Sequence, residues 1–80
     1  MILAKCVQLN NDGWNSYAEL ELGGIYEVDH ADVNRYHTNV YLKGMTNPFN
    51  SVCFKFYKDG QEIDIVREYI DSYYRKYSHK

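Results

Sequence analysis

The feature that most constrains this chain is a change in the spacing of its apolar residues near Asp64. Before that point apolar and polar residues alternate, most clearly over residues 51–57, where Val52, Phe54 and Phe56 fall on one side of a predicted strand. After it the spacing becomes helical, and one stripe contains Val66, Tyr69, Ile70, Tyr73 and Tyr77. Asp64 is placed to cap the first turn. The sequence therefore predicts a strand over 51–57 and a helix over 65–78.

Four further strands are predicted, at residues 2–9, 25–29, 38–43 and 61–64. Turn residues separate them, and the Asp59-Gly60 pair is typical of a tight hairpin between the last two strands. Residues 29–37 are interpreted as a polar connection, and 44–50 as a loop. One domain over 1–80 follows, mainly β (α+β): a small antiparallel barrel or bent sheet with one C-terminal helix. We expect the helix to pack against an open end or edge of the sheet.

Composition narrows the classes of function. The chain has 9 basic and 11 acidic side chains and a formal net charge of −2, which disfavours generic binding to nucleic acid. We expect no membrane span, because the apolar runs are far shorter than the roughly 18–20 residues required. The two cysteines, Cys6 and Cys53, and the absence of a signal-peptide pattern predict a protein of the reducing cytoplasm.

Several segments resemble a known group of proteins. Residues 22–28 contain a leucine, two glycines and an apolar–Tyr–Glu–Val strand, and residues 5–7 precede them; residues 49–57 and 62–65 form the second half of the pattern. With these segments, the chain resembles small uncharacterised SH3-like barrel proteins of bacteriophages, prophages and Gram-positive bacteria. The resemblance implies an SH3-like barrel and a phage or prophage setting, and it carries no catalytic residues. The tyrosine-rich helix departs from it, since those proteins usually end in a strand or a short tail.

Two clusters could in principle carry chemistry. Asp29, His30 and Asp32, with His37 nearby, combine imidazole with carboxylates, but their spacing matches no established metal site, and a solvated loop explains them better. Cys6 and Cys53 lack the close spacing of a redox or zinc pair, so we interpret both as core residues. No phosphate loop, nucleophile elbow or pair of carboxylates in a defined scaffold is present in the sequence. We therefore expect no enzymatic activity, no metal and no cofactor.

The remaining hypotheses concern binding. Aromatic residues in predicted loops are typical anchors for a protein partner, and a second interpretation makes Trp14 a cap on the barrel. These partner-binding candidates are Trp14, Tyr17, Tyr36 and Phe49. The alternative is a nucleic-acid surface on the C-terminal helix, formed by Arg67, Tyr74, Arg75, Lys76 and Lys80. A third possibility is a structural or self-assembling subunit. We favour the protein partner, which in a phage setting could be a host or defence protein.

Overall fold

The computed structural model describes residues 1–9 and 20–77 and is mainly β. Within those residues, six antiparallel strands form one open sheet in the order β4-β3-β2-β1-β5-β6. The strands are β1 (Ile2–Cys6), β2 (Ile25–Val33), β3 (Thr38–Leu42), β4 (Phe49–Asn50), β5 (Phe54–Lys58) and β6 (Gln61–Ile63). Two helical segments follow, α1 (Ile65–Glu68) and α2 (Ile70–Tyr77). The prediction of a mainly β sheet with a C-terminal helix is confirmed, and the sheet does not close on itself.

Strand β2 is longer than predicted and joins the two halves of the sheet. It was expected to end at Asp29, with a polar connection after it, but it continues to Val33. Its first residues pair with β1, and Val28 to Val33 pair with β3 across a register shift between Val28 and His30. The shift adds one residue, so Val28 and Ala31 both face the core although they are three positions apart. This bulge interrupts the alternation of buried and exposed residues from which the strand is predicted, so the predicted strand ends at Asp29.

The prediction of one strand over 51–57 is wrong at its start. Residues Ser51–Cys53 form a single 3₁₀ turn between β4 and β5. The side chain of Asn50 accepts a hydrogen bond from the amide of Val52 at 3.2 Å, which satisfies a backbone donor locally in place of a strand ladder. As a result Val52 is 51% exposed and Cys53 is fully buried, the reverse of the predicted faces.

The helix begins as predicted but is not continuous. The Asp64 carboxylate accepts from the Val66 amide at 3.0 Å, which confirms the predicted cap. Tyr69 has φ −120° and ψ 20° and separates α1 from α2. The Ser72 hydroxyl donates to the Tyr69 carbonyl at 2.8 Å and accepts from the Val33 amide at 3.1 Å. This bridge ties the break to the end of β2, where α2 docks.

One apolar core lies on one face of the sheet. Phe54 and Phe56 are 6% and 4% exposed, as the alternation predicted. The core is completed by buried residues from the strands and the first helix, among them Ala4, Cys6, Leu20, Val28, Ala31, Val40, Leu42, Phe49, Cys53 and Ile65. Val66 and Tyr69 pack on it from the helical segments. The helical region therefore packs on this face through Val66 of α1 and Tyr69, and the opposite face of β1 and β5 carries no such cover within the described chain.

Strand β1 ends at Cys6, short of the predicted residue 9. The amides of Val7 and Gln8 both donate to the Cys53 carbonyl, at 2.8 and 3.3 Å, instead of continuing the ladder. No described helix is long and apolar enough to cross a membrane.

Candidate binding surface

Two lysines face each other on the outer side of the sheet. Because Ala4 and Cys6 are buried in the core, Lys5 between them points to the opposite face. Strand β1 lies between β2 and β5, and Lys5 is directly opposite Lys55 on β5 and Ile25 on β2. Side chains in directly opposite positions have Cβ atoms about 4.5–5.5 Å apart. The two lysines therefore start from neighbouring positions on the outer face, next to an exposed isoleucine.

An apolar groove begins at Lys5, and Lys55 lies directly opposite Lys5 on β5. Its volume is about 480 Å³. It is lined by Met1 and by residues of β1, β2, β5 and the turn after β5, namely Leu3, Lys5, Ile25, Tyr57, Asp59 and Gly60. Met1 and Ile25 are 75% and 62% exposed. Such a concentration of uncovered apolar side chains on a small domain is typical of an interaction surface.

The lysine pair differs electrostatically from the other lysines for which the structure shows partners. Those lysines form ion pairs, Lys43 with Glu27 at 2.9 Å, Lys58 with Glu68 at 3.5 Å, and Lys76 with Asp32. The hydrogen bond and the charge of Glu27 raise the pKa of Lys43. Among the described residues no ion pair reaches Lys5 or Lys55. Like charges directly opposite each other destabilise a sheet, so this pair is unfavourable in the isolated domain.

The partner-binding residues expected from the sequence do not come together. Trp14 and Tyr17 lie outside the described residues. Tyr36 is 95% exposed in the turn between β2 and β3. Phe49 is fully buried, opposite Val40 in the core. The sequence predicts a loop over 44–50, which contains Pro48, but Phe49 forms the short edge strand β4, and its ring faces the core. Phe49 therefore has no surface to offer a partner.

The cations of the C-terminal helix are partly engaged with the rest of the domain. Lys76 pairs with Asp32 and donates to the side-chain oxygen of Asn34 at 2.7 Å. The guanidinium of Arg35 lies 4.5 Å from the ring centroid of Tyr77, in a cation–π contact. These contacts fasten α2 to the turn between β2 and β3.

The other members of the predicted nucleic-acid surface are divided between the two helices. Arg67 is on α1 before the break at Tyr69, whereas Tyr74 and Arg75 are exposed on α2. Lys80 lies outside the described residues. The helix thus presents fewer free cations than its sequence suggested, because Lys76 already has two partners.

The histidine and cysteine clusters have structural surroundings. His30 forms a 2.8 Å contact with the Asp29 carboxylate and stacks on Tyr41, with ring centroids 4.4 Å apart. In the described part of the chain, no group of three or more His, Cys, Asp or Glu side chains is arranged to hold a metal ion. Cys6 and Cys53 are buried free thiols. Burial, and then the nearby Cys53 thiol, raises the pKa of Cys6, which makes it a poor nucleophile.

Sequence reasoning missed the groove because it treated β1 as mostly buried. The available signal was alternation: Lys5 lies between two core residues, and Lys55 lies between Phe54 and Phe56. Their meeting could not be inferred, since it depends on β5 returning beside β1 in one particular register.

The fold and the groove define a small β-rich domain with an uncovered sheet face. A comparison with protein families places it more closely: the chain belongs to the family described as Bacteriophage T4 protein Y07B, whose model matches residues 1–78. This confirms the phage relation predicted from the sequence. No curated protein and no solved structure matches the chain.

Proposed function

We propose that this phage-family protein is a non-enzymatic binding domain that engages a protein partner through the groove on its outer sheet face. The observation that carries the proposal is the exposure of Met1 and Ile25, 75% and 62%, around a 480 Å³ depression floored by the sheet. Leaving such side chains in water costs about 25 cal/mol per Å² of apolar area, a cost that a partner would remove. In a phage setting the partner would be a host or defence protein.

The walls of the groove favour a protein over a nucleic acid. Met1, Leu3 and Ile25 offer aliphatic surface, which packs well against apolar side chains. Lys5 and Lys55, which form no ion pair among the described residues, would neutralise about two phosphates, which is little for binding that draws its energy from phosphate contacts. The net charge of −2 adds a weak repulsion. The energy available at this surface is therefore mainly apolar.

The strand order supports an SH3-like assignment, which we propose for the fold. Strands β1 to β4 form a meander, and β5 returns to pair with β1 after a single 3₁₀ turn. The buried thiols of Cys6 and Cys53 fit a reducing compartment and support action in the host cytoplasm.

A comparative capture from lysates of infected host bacteria tests the proposal. The bait is the wild-type domain, and the groove variant is Ile25→Ser, which removes apolar surface without touching the core. Burying the exposed part of an isoleucine contributes about 1–2 kcal/mol, so affinity should fall roughly 5- to 30-fold. Tyr74→Ser is the matched control, because Tyr74 is 59% exposed on α2, outside the groove.

We expect one or more proteins that are retained by the wild type and by Tyr74→Ser and lost by Ile25→Ser. Their affinity for purified domain is then measured by calorimetry with the same three baits. Equal retention by all three baits would rule out the groove as the binding surface.

A further inference from the structure

We propose that the partner segment places a carboxylate between Lys5 and Lys55 and, two residues away, an apolar side chain in the groove. This inference rests on the proposed protein-binding function, and it names the chemistry of the partner: an extended acidic–apolar segment. It begins from the lysine pair, which the described chain leaves without an ion pair.

A carboxylate matches the lysine pair in both charge and geometry. The two lysines occupy directly opposite positions of β1 and β5, with Cβ atoms about 5 Å apart. An ionised carboxylate has two oxygens, each able to accept from a different ammonium group. Binding one carboxylate therefore relieves the repulsion between two cations at once.

The spacing along the strands sets the position of the apolar side chain. Leu3 and Tyr57 are opposite each other, two residues from Lys5 and Lys55 on their respective strands. Two residues of a strand cover about 6.6–6.8 Å. Side chains at positions i and i+2 of an extended partner segment have the same separation. One side chain of such a pair reaches the lysines while the other lies over Leu3 and Tyr57.

Charge along the groove fixes which end receives the carboxylate. Asp59 lies at the other end, in the turn after β5 and four residues from Lys55. Glu27 faces Leu3 from β2, but it is paired with Lys43. An acidic side chain is therefore attracted at the Lys5 end and repelled at the Asp59 end. This polarity would orient the partner.

Selection from a random twelve-residue peptide display library tests the inference, with the wild-type domain immobilised as the target. We expect selected peptides to be enriched in Asp or Glu two positions from an aliphatic or aromatic residue. One selected peptide is then synthesised, and its affinity for purified variants is measured by fluorescence anisotropy at physiological salt.

Strand β5 provides a matched pair of charge variants. Lys55→Gln removes a lysine of the pair, and Lys58→Gln removes a lysine of the same strand that is already paired with Glu68. Both variants lose one positive charge. We expect Lys55→Gln to weaken peptide binding about tenfold and Lys58→Gln less than about twofold. Circular dichroism confirms that each variant is folded.

The outcomes separate this inference from the proposed function. If Ile25→Ser weakens binding and Lys55→Gln does not, the carboxylate assignment is overturned while the groove stands. If no peptide is enriched, the acidic–apolar segment is ruled out, and the lysate capture alone decides the proposed function. If neither variant weakens binding of a selected peptide, both proposals fail. Tighter binding to a twenty-residue oligothymidylate than to any peptide would replace the protein segment by a nucleic acid. Self-association of the wild type that Lys55→Gln abolishes would make the occupant a second copy of this chain.

Discussion

Replacing Phe49 with alanine tests the placement of the edge strand β4. The ring is fully buried, opposite Val40, and it meets Phe54 edge-on with centroids 6.4 Å apart. Tyr36 is the natural comparison, because both aromatics were assigned to loops from the sequence and Tyr36 is 95% exposed. The structure therefore predicts opposite results for two substitutions that the sequence treated alike.

The magnitude follows from burial. A buried phenylalanine replaced by alanine costs about 3–5 kcal/mol. A domain of 80 residues has a free energy of unfolding of about 4–12 kcal/mol. Phe49→Ala would thus remove a quarter or more of the stability, and at about 4–8 °C per kcal/mol the melting temperature should fall by at least about 12 °C. An exposed side chain such as Tyr36 should change the stability by less than about 0.5 kcal/mol.

The assay is thermal and urea unfolding followed by circular dichroism, with both variants and the wild type at one protein concentration. If Phe49→Ala does not fold at all, the milder Phe49→Leu variant should still melt several degrees below the wild type, because a leucine does not fill the ring's space. A Phe49→Ala protein melting within about 3 °C of the wild type would refute the burial of this ring. A loss of stability in Tyr36→Ala comparable to that in Phe49→Ala would show that the turn between β2 and β3 is packed against the domain.

Three further substitutions have defined outcomes. Lys5→Glu turns a repulsive cross-strand pair with Lys55 into an attractive one and should raise the free energy of unfolding from urea titration by about 0.2–1 kcal/mol; a lower value would contradict the register. The raised pKa of Cys6 means that the folded state favours the protonated thiol. The contribution of this thiol to the free energy of unfolding is therefore complete below its ordinary pKa of about 8.5 and is lost as the pH rises above that value. The stability difference between wild type and Cys6→Ala, measured in urea from pH 7 to 10, should therefore shrink with rising pH, and a constant difference would contradict this. Asp64→Ala should cost about 1 kcal/mol in the same titration, since it removes the acceptor for the Val66 amide, and no loss would show that the cap is dispensable.

The sequence was informative where one local pattern decided the structure. The alternation around Phe54 and Phe56 gave the buried face of β5, and Asp64 gave the start of the helical region. Both signals depend on neighbours within a few residues. They are therefore readable without knowing which strands meet.

The sequence was misleading where a side chain or an extra residue interrupted a local pattern. Asn50 caps a 3₁₀ turn and takes Ser51–Cys53 out of the strand. The bulge after Val28 adds a residue and makes the second half of β2 resemble a polar connection. At Tyr69 a helical stripe continues through a residue that is not helical, because the Ser72 hydroxyl bridges its carbonyl to β2. The bulge and the helix break depend on contacts with distant segments that the linear sequence does not reveal, whereas the Asn50 cap is a local contact that competes with the strand pattern.

The candidate binding surface could not be predicted from the sequence for the same reason, because it depends on which strands are neighbours. Aromatic residues in predicted loops are candidate binding residues because an exposed aromatic side chain needs a functional explanation. Phe49 needs none, because it is buried in the core. Lys5 and Lys55 are not candidates from the sequence, because a single solvated lysine on a strand is ordinary. They become informative only as a pair, fifty positions apart in sequence and directly opposite in the sheet. Within the described residues, no ion pair compensates these two like charges, and apolar side chains lie uncovered beside them. One acidic–apolar segment would relieve both unfavourable features. The register of β1 against β5 is thus the structural fact on which the binding proposal depends.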